Sequence, residues 1–74
     1  DEVWVVDYKT GRLPPAEVEE TPTHYLRQMA LYRHLLAGMY PQKTIRCALL
    51  WTAGAKITEL PDSLLDAAAF GSYI

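Results

Sequence analysis

The run EVWVVDYK, Glu2–Lys9, constrains the fold of this 74-residue chain more than any other stretch. It is rich in valine and tryptophan and stops at the turn signal Thr10-Gly11, so it reads as a strand. A strand alternates its faces, which sends Val3, Val5, Asp7 and Lys9 one way and Trp4, Val6 and Tyr8 the other. The face that carries two valines therefore also carries a carboxylate and an ammonium. Burial penalises an unpaired charge, so this pair needs a reason to stand at the strand's end.

The next segment, GRLPPAEVEETPT, holds three prolines, a glycine and three glutamates without an apolar period, and reads as an exposed loop. Pro22 suits a first helical position, with Thr21 as the N-cap, and HYLRQMALYRHLLAGMY then runs unbroken to Gly38 and Pro41. Tyr25, Gln28, Tyr32, Leu35 and Met39 fall on one stripe of that helix, and Leu31 and Leu36 widen its apolar side. Beyond Pro41, TIRCALLWT and KITEL read as two strands joined at Ala53-Gly54-Ala55, most simply a hairpin. Pro61-Asp62-Ser63 opens a short final helix over SLLDAAAFGSYI that ends against Gly71. The order strand, helix, strand, strand, helix is α/β, with no internal repeat.

The remaining composition excludes several classes. Half of the residues are hydrophobic and 22% are charged, the balance of a globular chain and not of a disordered one. The net charge of -2 gives no basic footprint, so a nucleic-acid partner has to be argued from a site. The one cysteine, Cys47, lies in the apolar run IRCALLW and reads as a buried structural thiol. No run approaches the roughly 20 apolar residues of a membrane span. A chain this short buries only about 60% of its unfolded surface and is marginal alone. Together with Asp1 leading straight into a strand, this gives the expectation of a piece of a larger domain.

Asp7 and Lys9 have a bland reading as a salt bridge where the strand meets solvent. The sharper reading is metal-assisted phosphodiester hydrolysis, in which Asp7 ligates a hard divalent ion and Lys9 stands beside the water or the phosphate. The helix adds to it. Gln28 and Tyr32, four apart on one face, with Tyr25 a turn earlier, interrupt an otherwise apolar stripe with an amide and two phenols. A glutamine there needs hydrogen-bond partners, and could orient a water, a metal ligand or a DNA phosphate. For the tyrosines the bland reading is core packing with the hydroxyl reaching solvent.

VVDYKTG, an exposed loop and then YLRQMALYRHLL resemble the RecB-type nuclease domains of the PD-(D/E)XK superfamily, nearest to the C-terminal nuclease regions of bacterial AddA-type helicase-nuclease subunits. CALLWTAGAKITELPDSLLDA resembles their closing hairpin and helix, so the likeness covers nearly the whole chain. It implies a partial restriction-endonuclease-like core with a mixed sheet, residues 1–74 being the C-terminal part of one nuclease domain. It implies Asp7 as a ligand of Mg²⁺ or Mn²⁺, with the Tyr8 carbonyl on the same ion. Lys9, Asp7 and Gln28 would be catalytic, Lys9 acting on the water and the phosphate charge, while Tyr32 and, more weakly, Tyr25 support the site or contact DNA. It further implies a Mg²⁺-dependent exonuclease in double-strand break repair, ATP bound only in a separate helicase region, an AddB-like second subunit and a bacterial cytoplasm.

The family motif also requires an acid on an upstream strand, and often an earlier histidine. Neither precedes Asp7 here. Glu2 lies on the Trp4 face, and His24 and His34, ten apart, project at divergent angles as surface histidines. The isolated chain is therefore expected to bind metal weakly and cut nothing. A Cas4-like relative with an iron-sulfur cluster shares the strand and helix motifs, and Cys47 alone does not decide for or against it. The competing classes are an inactive nuclease-like scaffold or DNA-holding module, and a small α/β interaction domain with an ordinary salt bridge.

Overall fold

A computed structural model describes residues 1–69. The elements run β1 (Glu2–Lys9), a 3-10 turn (Val18–Glu20), α1 (Thr23–Met39), β2 (Thr44–Trp51), β3 (Lys56–Leu60) and α2 (Asp62–Ala69). The fold is α/β, a partial restriction-endonuclease-like core with a three-stranded mixed sheet ordered β1-β2-β3. β1 and β2 are parallel, pairing Val5 with Cys47 and Lys9 with Trp51, because α1 carries the chain back across the sheet between them. β2 and β3 are the expected antiparallel hairpin, pairing Leu49 with Thr58.

The period of two fixes the inner face. Ile45, Cys47, Leu49 and Trp51 of β2 are all buried, and the last three meet Leu26, Met29 and Ala30 of α1, Leu60 of β3 and Leu65 of α2. Each large apolar side chain buried in this way contributes about 1.5–3 kcal/mol. Arg33 of α1 clamps α2 by donating to both Asp62 and Asp66. Cys47 is buried as expected, with its thiol against the Met29 carbonyl at 3.8 Å.

Three local expectations are corrected. Thr21 is not the N-cap of α1: that place falls to Pro22, while the Thr21 hydroxyl donates backwards to the Val18 carbonyl at 2.6 Å and closes the 3-10 turn. The loop is thus not wholly exposed, since Val18 packs against the core. The buried ridge of α1 is Leu26, Met29 and Ala30, not the stripe through Tyr25, Gln28, Tyr32, Leu35 and Met39. That stripe runs along β1, where Tyr32, Leu35, Leu36 and Met39 border an open apolar groove against Val5. The end of the last helix at Gly71 lies outside the described residues.

Two contacts fix the far end of β1. Thr52 donates to the Lys9 carbonyl through its amide at 3.1 Å and its hydroxyl at 3.3 Å. Gly11, at φ 73°, then turns the chain through the left-handed region that favours glycine. At Gly54 a Cβ would stand 2.7 Å from Cδ of Pro14, so the hairpin turn and the loop are in close contact and only glycine fits.

Candidate active site

The end of β1 is where the charged pair acquires partners. Lys9 Nζ donates to Asp7 Oδ2 at 2.9 Å and to Gln28 Oε1 at 3.4 Å, and stands 4.1 Å from the centre of the Tyr25 ring. An ammonium has three donors, and here a carboxylate, an amide oxygen and an aromatic face receive them. The Lys9 side chain is only 13% exposed and that of Asp7 32%, so the pair is partly withdrawn from water. The bland salt bridge is present, but it is one link of a longer chain of contacts.

That chain continues along the helix. Gln28 Nε2 donates to the Tyr32 hydroxyl at 3.1 Å, so the amide is oriented with its oxygen toward Lys9 and its nitrogen toward Tyr32. The tyrosine oxygen accepts, which leaves its own proton free to be donated outward. Beneath Lys9, Tyr25 lies 6.0 Å from Trp51, the residue paired with Lys9 in the sheet register, and His24 meets the Tyr25 ring edge-on at 4.3 Å. The structure thus brings together Asp7, Lys9, Gln28, Tyr32 and Tyr25. It leaves the side chain of Tyr8 on the outer face, 66% exposed.

The Tyr8 backbone is placed differently from its side chain. The carbonyls of Asp1 and Lys9 accept from Thr44 and Thr52 at the two ends of β2. Because a strand residue turns both its polar groups to one side and the sides alternate, the odd residues of β1 bond toward β2. Glu2, Trp4, Val6 and Tyr8 therefore present their amides and carbonyls at the free edge of the sheet. The Tyr8 carbonyl and Asp7 Oδ1, which makes no hydrogen bond with a described residue, are two hard oxygens of the kind that Mg²⁺ takes. Among the described residues no three His, Cys, Asp or Glu side chains converge on one point.

Glu2 has no part in this site. Its Oε1 accepts from Trp4 Nε1 at 3.2 Å and its Oε2 from Arg46 at 2.9 Å, both on the opposite face of the sheet. The hydrogen bond from Arg46 holds the Glu2 carboxyl below the usual carboxylate value, while desolvation pulls the other way. His24 and His34 lie on the exposed surface of α1.

Three contributors escape sequence reading: Trp51, Thr52 and Arg12, whose guanidinium lies 6.0 Å from the same Tyr25 ring. Trp51 and Thr52 reach β1 only through the parallel register, which no local signal encodes. Arg12 sits in a polar loop, where a cation following Gly11 is the one available hint.

A family model for the PD-(D/E)XK nuclease superfamily matches residues 1–74. No curated protein and no solved structure matches the chain. Among the described residues no helix is long and apolar enough to cross a membrane.

Proposed function

The chain belongs to the PD-(D/E)XK nuclease superfamily, and from that premise we propose that it is the later part of a RecB-type, AddA-like nuclease domain that hydrolyses DNA phosphodiester bonds. The observation that carries this reading is the continuous chain Asp7–Lys9–Gln28–Tyr32 at the end of β1. An isolated surface ion pair has no need of an oriented amide and an aromatic floor beneath it.

Asp7 and the Tyr8 carbonyl would hold a divalent cation, Mg²⁺ or Mn²⁺, which supplies Lewis-acid stabilisation of the phosphoryl oxygens when bound. Lys9 presents its ammonium to the charge that develops on the phosphate, a role suited to a compact cation held by fixed acceptors. Gln28 positions Lys9, Tyr32 orients Gln28 and offers its own proton to DNA or water, and Tyr25 floors the ammonium. The rest of the ligand set belongs to an upstream strand. The free edge of β1, the exposed Trp4, Val6 and Tyr8 and the apolar groove beside Val5 all support such an addition. The parent is then a bacterial cytoplasmic helicase-nuclease of double-strand break repair, with ATP bound in its motor and an AddB-like partner.

The test is Mg²⁺-dependent degradation of linear DNA by the full-length polypeptide. Replacing Lys9 by alanine is expected to slow cutting by about 10²–10³-fold, the usual cost of losing one donor to developing charge, with the fold intact. Equal cutting by both proteins defeats the assignment. A wild type that binds DNA but never cuts it favours the second reading, a DNA-holding module.

A further inference from the structure

Beside Tyr25 lies an open cavity of about 300 Å³ lined by Arg12, Leu13, Pro15, Glu20, Pro22 and Trp51. Its composition is unlike that of a packing defect. Arg12 makes no ion pair with a described residue, yet its guanidinium shares the Tyr25 ring with Lys9. Leu13, on the wall, is 75% exposed, an apolar side chain held out in water. Trp51, only 1% exposed, closes the cavity from the core side, and its Nε1 is the buried side-chain atom left without a hydrogen-bond partner among the described residues. Buried donors are nearly always paired, so this indole is an unsatisfied group in the residue that closes the cavity.

We propose that this cavity is a subsite for the nucleotide next to the scissile bond, with its phosphate on Arg12 and its base or sugar against Leu13, Pro15 and Pro22 over Trp51. The inference rests on the nuclease reading above, which places the reacting phosphate at Lys9. A guanidinium fork matches phosphate oxygens, and Arg12 and Lys9 both stand at the Tyr25 ring, so a strand held at Lys9 passes near Arg12. Glu20, its Oε1 already accepting from the Glu17 amide at 3.2 Å, repels a second phosphate from its part of the wall and so confines the backbone to the Arg12 side. Apolar walls that receive a base require that base to be out of the duplex stack, so the strand is unpaired at this point. The close contact of Gly54 with Pro14 holds the loop that carries Arg12 and Leu13 in place.

The test is binding of a short fluorescein-labelled single strand to the full-length polypeptide without divalent metal, followed by anisotropy across a salt series. Arg12→Gln is expected to weaken binding several-fold and to lower the slope of log affinity against log salt by about 0.7, one single-strand phosphate contact. Leu13→Ala is expected to weaken binding several-fold with the slope unchanged. Both residues are exposed, and matching melting temperatures verify that the variants fold. A wild type that cuts linear DNA while Arg12→Gln keeps the wild-type affinity and slope overturns the subsite and spares the nuclease. The expected binding pattern in a wild type that does not cut keeps the cavity as a single-strand binding site but overturns the nuclease reading and, with it, the placing of this subsite beside a scissile bond.

Discussion

A cation, a carboxylate and an aromatic ring meet on each of the two faces of β1, with Arg46 supplied by β2 and Tyr25 by α1, and the two sets are put to different uses. On the outer face Arg46 donates to Glu2 and to Glu59, strapping β1, β2 and β3 together, and stands 4.8 Å over the Trp4 ring. In that cluster one cation answers two carboxylates, and Glu2 also accepts from the indole nitrogen of Trp4. On the inner face Lys9 answers a single carboxylate and leans on an amide, and one oxygen of Asp7 and the proton of Tyr32 are left to be used. Likeness of residue types therefore does not decide role. What separates the two sets is what they join: the outer one ties three strands together, while the inner one ties the end of β1 to α1.

The comparison is broken most severely from the inner side. Trp51→Ala removes the floor beneath Tyr25 and opens a core cavity, with an expected loss of about 3–5 kcal/mol, read from the urea midpoint. A loss below about 1 kcal/mol would show that the inner face is not the packed one. Gln28→Ala leaves the fold intact but frees one side of Lys9, and cutting is expected to fall about 10-fold, or about 1.4 kcal/mol, with the rate constant and not KM carrying the change. An unchanged rate constant removes Gln28 from the site.

The smallest effect sharpens how dry the inner face is. Burial pushes the Cys47 thiol from 9.0 up to about 11, so the folded chain keeps a proton that the unfolded chain releases. The sign is then fixed: this contribution is fully present below pH 9.0 and is lost as pH rises toward about 11. The urea midpoint of the wild type should fall more steeply across that window than that of Cys47→Ala. Parallel curves would mean that the thiol is open to water.

Much of this organisation was legible in the sequence. The bounds of β1 and β3 follow from period and turn residues, the hairpin from Ala53-Gly54-Ala55, and the shared face of Asp7 and Lys9 from alternation alone. The proximity of Gln28 and Tyr32 to Lys9 follows from helical spacing once α1 lies on that face. The buried side of α1 was not legible, because Leu26, Met29, Leu31, Leu35 and Leu36 put apolar residues round most of the helix and the period cannot choose among them. The choice is made by β2, whose Cys47, Leu49 and Trp51 meet Leu26, Met29 and Ala30. The cap at Thr21 was misread because a hydroxyl can serve a backbone group on either side of it. Arg12 and Trp51 were missed because their meeting at Tyr25 depends on sheet register and loop path, which are tertiary facts.

The most direct measurement treats the two clusters side by side. Lys9→Ala and Arg46→Ala are made in the full-length polypeptide, and each is assayed for Mg²⁺-dependent cutting of linear DNA and for its urea midpoint at low and high salt. The account predicts a crossed result. Lys9→Ala loses cutting and keeps its midpoint, while Arg46→Ala keeps cutting and loses some stability, a loss that shrinks as salt screens the wild-type strap. If Lys9→Ala still cuts, or if both variants lose stability alone, the end of β1 is a second strap and not an active site.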